Sequence, residues 1–105
     1  MKLQTGNIYW INLKGSVAHP HVVIAHEGEA VTVCALTTNK NKQDMPGNIL
    51  LSEGEGGLKE RSIVDISKVF SIDKLELGEY VGQLAEHRLS EIQAGIDFLE
   101  KSFLN

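Results

Sequence analysis

Two histidines and a Thr-Thr-Asn-Lys run are the residues of this chain best suited to chemistry near neutral pH. His19-Pro20-His21 opens the apolar run Val22-Val23-Ile24-Ala25, and Thr37-Thr38-Asn39-Lys40 follows the apolar run Val31-Thr32-Val33-Cys34-Ala35-Leu36. An imidazole changes charge between about pH 5 and 8 and so shuttles protons, hydroxyls donate and accept hydrogen bonds, and Lys40 and Lys42 beside Asn39 carry the charge a phosphate would meet. Between the runs lies His26-Glu27-Gly28-Glu29, short, polar and glycine-bearing, as a hairpin connection is. Antiparallel pairing brings the start of the first strand beside the end of the second. His19, Thr37 and Thr38 are therefore predicted to converge at one end of a two-stranded ladder.

Each of these residues also has a plainer use. His19 reads either as a proton carrier or as a solvated histidine at a strand end, and Thr37 as a functional hydroxyl or as the hydroxyl of a turn. His21 shares a face with His19 and is expected at an interface or on plain surface rather than as a partner of His19. Lys40 and Lys42 grip phosphate or merely solubilise their loop. Asp65 stands alone and is expected in a turn or at a strand edge. Cys34, the single cysteine, has no internal disulfide partner and reads as a small buried hydrophobe, which fits a reducing cytoplasm.

The elements that must hold these residues follow from pattern. The 105 residues form one domain with a core large enough to fold unaided. Ten basic and fourteen acidic residues give a net charge of −4, which excludes nucleic-acid binding by overall charge and requires any phosphate-binding patch to be local. No apolar leader is present and no run approaches the roughly 18 apolar residues of a membrane span, so a soluble, unprocessed chain is expected. Asn7-Ile8-Tyr9-Trp10-Ile11-Asn12-Leu13 reads as a first strand with Trp10 helping to fill the core. The loop 14–18 leads to His19, which its following proline holds extended.

Residues 38–47 form a long polar excursion suited to a functional loop. Asn48-Ile49-Leu50-Leu51 is a strand, residues 52–58 have the chemistry of a turn, and residues 62–72 form another strand, alternating apolar and polar in their second half. The glycines at 54, 56 and 57 are not a phosphate loop, lacking the strand before and the helix after. From Leu84 the period changes: Leu89, Ile92, Ile96, Leu99 and Phe103 recur every three or four residues, the stripe of an amphipathic helix. A strand-rich chain closed by one terminal helix predicts a mainly β fold, a small antiparallel barrel or strongly bent sheet with the helix on an open side.

The order of these features resembles the MazF/PemK/Kid family of toxin endoribonucleases. Gly6-Asn7-Ile8-Tyr9-Trp10-Ile11-Asn12-Leu13 is similar to that family's opening Gly-Asp-Ile-x-Trp-Val-Asp-Leu strand, His19-Pro20-His21-Val22-Val23 to its Arg-Pro-Ala-Val-Val step, and Ala35-Leu36-Thr37-Thr38 to its Pro-Ile-Thr-Ser or Pro-Cys-Thr-Thr step. Ser71-Ile72-Asp73-Lys74 and Val81-Gly82-Gln83-Leu84 continue the match in order. The resemblance implies an SH3-like barrel with a C-terminal helix, a homodimer, a cognate antitoxin, and cleavage of single-stranded RNA by attack of a ribose 2′-OH on its 3′-phosphate, with no metal or other cofactor. Carried over position by position, the family's catalytic arginine and threonine fall on His19 and Thr37. Thr38, Asn39, Lys40 and Lys42 are the expected RNA-binding residues.

The departures are specific. Histidine replaces arginine at position 19, so a proton carrier stands where a bidentate phosphate-binding fork is usual. The loop before it is shorter than the family's, and Ser67, Lys68 and Phe70 stand where relatives carry acidic, amide and basic side chains. Two readings result: a toxin endoribonuclease, or a non-catalytic module on the same barrel that binds RNA or a protein. A version of the second resembling the gyrase poison CcdB is weakened by the C-terminal Ser102-Phe103-Leu104-Asn105, which lacks that toxin's terminal Trp-Gly-Ile.

Overall fold

In a computed structural model, residues 2–13, 15 and 17–104 are described. Lys14 and Ser16 of the expected loop before His19, and the side chain of Phe103 on the expected helix stripe, lie outside the described residues. The strands are β1 (Asn7–Ile11), β2 (His19–Glu27), β3 (Ala30–Thr37), β4 (Ile49–Leu50), β5 (Ile63–Asp73) and β6 (Tyr80–Gln83), and the chain closes with the helix α1 (Glu86–Leu104). They form one curled antiparallel sheet in the order β4-β5-β3-β2-β1-β6, a half-barrel with one terminal helix, as the patterning predicts. β1 ends two residues earlier than expected, at Ile11, and β4 is shorter than expected.

Alternation along the central strands sends apolar side chains to both faces, because both are covered. On one face Ile8, Val22, Cys34, Leu36, Val64 and Ile66 are buried beneath α1, which contributes Ile92 fully and Leu89, Ile96 and Leu99 in part. On the other, Tyr9, Ile11, Val23, Val31, Val33 and Ile72 form a second cluster, with Tyr80 packed edge-on against Tyr9 at 5.6 Å between ring centres. Trp10 is the exception to the sequence expectation. It lies at the end of β1 while α1 packs over β4 and β5, and its indole is 43% exposed rather than in the core.

Two close backbone approaches shape the barrel. The turn around Gly56 and Gly57 lies against β6, where a side chain on Gly57 would sit 2.7 Å from the Val81 carbonyl oxygen and one on Gly82 would meet the Gly56 carbonyl. The turn is tied to the helix by Arg88, whose Nε and Nη2 donate to the two Glu55 carboxylate oxygens at 2.8 and 3.0 Å, with Nη1 donating to Glu91. That guanidinium holds the Glu55 carboxyl below its ordinary range. The second approach is Gly95 of α1 against Gly47.

β5 leaves β3 between these supports. Cys34 pairs with Val69 but Ala35 pairs with Asp65, so residues 66–68 bulge from the ladder. Ile66 turns inward from the bulge, and the space beneath it exists because Gly47 and Gly95 have no side chains. In an ordinary helix interior Gly→Ala stabilises by about 1 kcal/mol. At Gly95 the added methyl would lie 2.6 Å from the Gly47 carbonyl oxygen and 3.0 Å from Ile66 Cδ1, and overpacking costs about 1–3 kcal/mol. Gly95→Ala is therefore expected to lower the urea midpoint; a raised midpoint would show that α1 is free to shift on the sheet.

Candidate active site

The predicted convergence appears in shared cavity walls. The β2–β3 ladder ends on the pair His21–Ala35, and two residues beyond it on each strand lie His19, paired with Ile11 of β1, and Thr37, paired with Ile63 of β5. Both line two adjoining cavities. One, of about 610 Å³, is walled by Trp10, Tyr80 and Leu58 and carries Thr38, Ser62 and the charged Lys59, Glu60 and Glu79. The other, of about 430 Å³, is walled by Ile11, Leu13 and Phe70 and carries His21, Asn39, Lys42, Asp65 and Lys68. His19 and Thr37 thus form the saddle between an aromatic cavity with acidic groups and an apolar cavity with two lysines.

The loop after β3 is built by side chains of its own sequence. Thr37 Oγ1 accepts the Asn39 N–H at 3.1 Å, which leaves its O–H directed elsewhere as a donor. Asn39 Oδ1 accepts the Asn41 N–H at 3.0 Å and caps the short 3₁₀ turn Lys40–Lys42. Asn48 then fixes the end of that turn: its Nδ2 donates to the Lys42 carbonyl at 2.9 Å, and its Oδ1 accepts the Ile66 N–H at 3.0 Å. Lys42 is held at the rim of the second cavity with its ammonium 3.9 Å from Asp65.

Of the expected RNA-contacting residues, Thr38 faces the first cavity and Asn39 and Lys42 the second. Lys40 lines neither. It points with Gln43 and Arg61 into a separate hollow of about 320 Å³. The capping geometry explains this, since a 3₁₀ turn of three residues sends Lys40 and Lys42 in different directions.

Two expectations are corrected. His21 is not a surface or interface residue; it is 3% exposed, with its Nδ1 2.9 Å from the His19 carbonyl oxygen and its ring 6.2 Å from that of Phe70. Asp65 is not at a turn or an edge; it is 2% exposed within β5, between β3 and β4. A buried carboxylate needs hydrogen-bond donors. Asp65 Oδ1 receives the Ser67 hydroxyl at 2.7 Å and the Ser67 N–H at 3.3 Å, so its side chain clips the bulge. The expectation for Cys34 holds: it is fully buried, and burial first, then the neighbouring Asp65 charge, push its thiol up to about 12, too high for a nucleophile.

Sequence reasoning missed His21, Asp65, Phe70, Trp10 and Tyr80 as lining residues. The signal that would have found two of them is cross-strand register. Tyr9, His21, Ala35 and Asp65 stand opposite one another in turn, so His21 and Asp65 share the sheet face that carries His19 and Thr37.

The sequence pattern of the PemK-like, MazF-like toxins of type II toxin-antitoxin systems matches residues 4–99. Endoribonuclease MazF6 of Mycobacterium tuberculosis and endoribonuclease MazF2 of Mycobacterium bovis are each 24% identical to this chain over 108 aligned positions, covering 91% of it and 95% of themselves. Among solved structures, an endoribonuclease in complex with its cognate antitoxin from a mycobacterial species superposes with a TM-score of 0.79 at 20% identity, over 92% of this chain and 93% of that one. The Mycobacterium tuberculosis toxin MazF-mt6 superposes with a TM-score of 0.74 at 21% identity, over 88% and 93%. At such identities the superpositions speak to the fold.

The burial of His21 has a consequence for stability. Loss of solvent holds its pKa below the ordinary value; the His19 carbonyl acts in the opposite sense and the His19 ring adds a small further lowering. In the unfolded chain the same imidazole titrates near the unperturbed value of about 6.5. The unfolded state therefore binds the proton first, and this contribution to stability is complete above pH 6.5 and is lost as pH falls through the lower folded value. The urea midpoint of the wild type is expected to fall between pH 7 and 5 more steeply than that of His21→Asn; equal slopes would show that the folded ring is as free to protonate as the unfolded one.

Proposed function

The chain belongs to the PemK-like, MazF-like toxins of type II toxin-antitoxin systems, and from that premise we propose that it is an endoribonuclease that cuts single-stranded RNA at the saddle of His19 and Thr37. The observation that carries this reading is that an imidazole and a hydroxyl, those of His19 and Thr37, line the same two cavities, which are large enough for the nucleotides beside a scissile phosphate.

The reaction is attack of a ribose 2′-OH on its own 3′-phosphate, which needs proton transfers and donors for the charge that builds on phosphorus. His19 carries proton transfer in place of the family's arginine. The Thr37 hydroxyl and the Lys42 ammonium supply donors, Thr38 and Asn39 position the strand from either side, and Lys40 meets a phosphate further along. The acting form is a C2 homodimer in the cytoplasm, its single domain spanning residues 1–105, and a cognate antitoxin silences it by covering the groove. The net charge of −4 fits this division, since the affinity for RNA then resides in the groove rather than over the whole surface.

Mapping of the ends left on a mixed-sequence single-stranded RNA tests the reading. The expected products carry a 2′,3′-cyclic phosphate and a 5′-OH. His19→Ala is expected to cut roughly 10²-fold more slowly or worse, the size of a general acid–base contribution, and Thr37→Ala to lose less. His19→Arg restores the family residue and is expected to remain active. Uncut RNA with the wild type and active His19→Arg would make the natural chain a binding module; uncut RNA with both would overturn the nuclease reading.

A further inference from the structure

Resting on the nuclease reading, we propose that His21 is the general base of this site, taking the ribose 2′-OH proton at Nε2 while His19 is the acid. Cleavage requires two proton transfers, one from the attacking 2′-oxygen and one to the departing 5′-oxygen. An arginine, always charged, serves neither readily. In the Arg-Pro-Ala-Val-Val step that His19-Pro20-His21-Val22-Val23 resembles, alanine stands where this chain has His21.

The geometry fixes the tautomer of His21. Its Nδ1 lies 2.9 Å from the His19 carbonyl oxygen, and a carbonyl only accepts, so Nδ1 carries the hydrogen and Nε2 keeps the lone pair. The ring lines the same 430 Å³ cavity as His19 and Thr37, beside the Phe70 ring that backs it. The titratable groups around it are His19 on β2, Tyr9 opposite it on β1, Asp65 and Lys68 on β5, and Lys42 on the 3₁₀ turn, while β3 offers only Ala35 and Thr37. Asp65 is occupied by Ser67 and lies near Lys42, which leaves the two imidazoles as the pair able to exchange protons near neutrality.

Their environments divide the work. His21 is buried, and loss of solvent disfavours its charged form, the His19 carbonyl acting in the opposite sense and the His19 ring in the same sense as burial; His19 is exposed at the start of β2. In the forward step the 2′-oxygen gives its proton to His21 Nε2 and forms a bond to phosphorus. The phosphorus–5′-oxygen bond breaks, and protonated His19 Nε2 or Nδ1 supplies the proton that the 5′-oxygen needs. The products are the cyclic phosphate and the 5′-OH, and exchange with water restores both rings.

Two measurements on the full-length protein test this. Long-range ¹H–¹⁵N correlation spectra of the wild type are expected to show the neutral form of His21 as the tautomer protonated at Nδ1, titrating below the ordinary imidazole value. An Nε2–H tautomer, or a His21 that titrates at or above that value, overturns the assignment whatever RNA does. Single-turnover cleavage is then followed against pH. His21→Asn keeps an N–H to donate to the His19 carbonyl but has no basic nitrogen, and it is expected to lose roughly 10²-fold or more in rate together with the low-pH limb of the profile. His21→Ala is expected to regain part of its rate with added imidazole, which a packing role would not allow. A His21→Asn enzyme within a few-fold of wild type that retains its low-pH limb, or a His21→Ala enzyme indifferent to imidazole, overturns the base while leaving the nuclease reading intact. RNA uncut by the wild type overturns both.

Discussion

The carboxylate of Asp65 sits 2% exposed at the point where β5 parts from β3, and such a group must be hydrogen bonded where it lies. Ser67 satisfies it from within the bulge, and that choice fixes what the bulge does. With residues 66–68 folded over the carboxylate, Ile66 is driven into the space between Gly47 and Gly95 and anchors the sheet to α1. On the other side of the same kink, Lys68 and Phe70 line the cavity that holds His21. Helix packing and groove shape thus depend on one buried polar contact. An apolar residue at position 65 would leave the bulge without its clip and the Lys42 ammonium without its nearest carboxylate.

The groove is electrically uneven in a way that net charge conceals. Lys42 and Lys68 stand on the His21 side, Glu60 and Glu79 with Lys59 on the Trp10 side. On the proposed reading a phosphate backbone laid across the saddle would meet its cationic partners chiefly on one side and the aromatic residues Trp10 and Tyr80 on the other, the residue types on which bases stack. Exposure of Trp10, which opposes the usual tendency of a large aromatic residue to be buried, is consistent with that use.

Much of this architecture follows from periodicity. The existence of the β2–β3 hairpin, of the strand over 63–73 and of the terminal helix follows from apolar spacing, which assigns the helix stripe to a face but not the residues of the bulged strand. The placement of His19 and Thr37 at one end of the hairpin needed nothing beyond antiparallel pairing. What escaped was long-range. The burial of His21 and Asp65 depends on the pairing of β3 with β5 and on a register shift that no local pattern announces, and the exposure of Trp10 goes with a helix that packs on β4 and β5. The divergence of Lys40 from Lys42 depends on a three-residue turn set by the Asn39 side chain, and composition alone reads that stretch simply as loop.

If His19 carries the proton transfer proposed for it, histidine in place of arginine at position 19 redistributes tasks that one guanidinium would perform together. An arginine holds permanent charge and grips a phosphate with two parallel hydrogen bonds, so it stabilises the crowded, charged phosphorus without having to release a proton. An imidazole offers one donor on a given edge and gains or loses its charge as it works. Charge stabilisation in this chain must then come from groups that stay constant through the step. The Thr37 hydroxyl is available because its oxygen accepts from Asn39 N–H while its hydrogen remains free, and Lys42 is anchored through the Asn48 bond to its carbonyl. Lys42 lies on a turn fixed by side chain to backbone hydrogen bonds, and Thr37 is the last residue of β3, paired with Ile63 of β5, where the sheet passes into that turn. On the proposed reading the fixed part of the site thus rests on a strand end and on capping geometry together, and the loop after β3 would matter to the chemistry as well as the strand that carries His19.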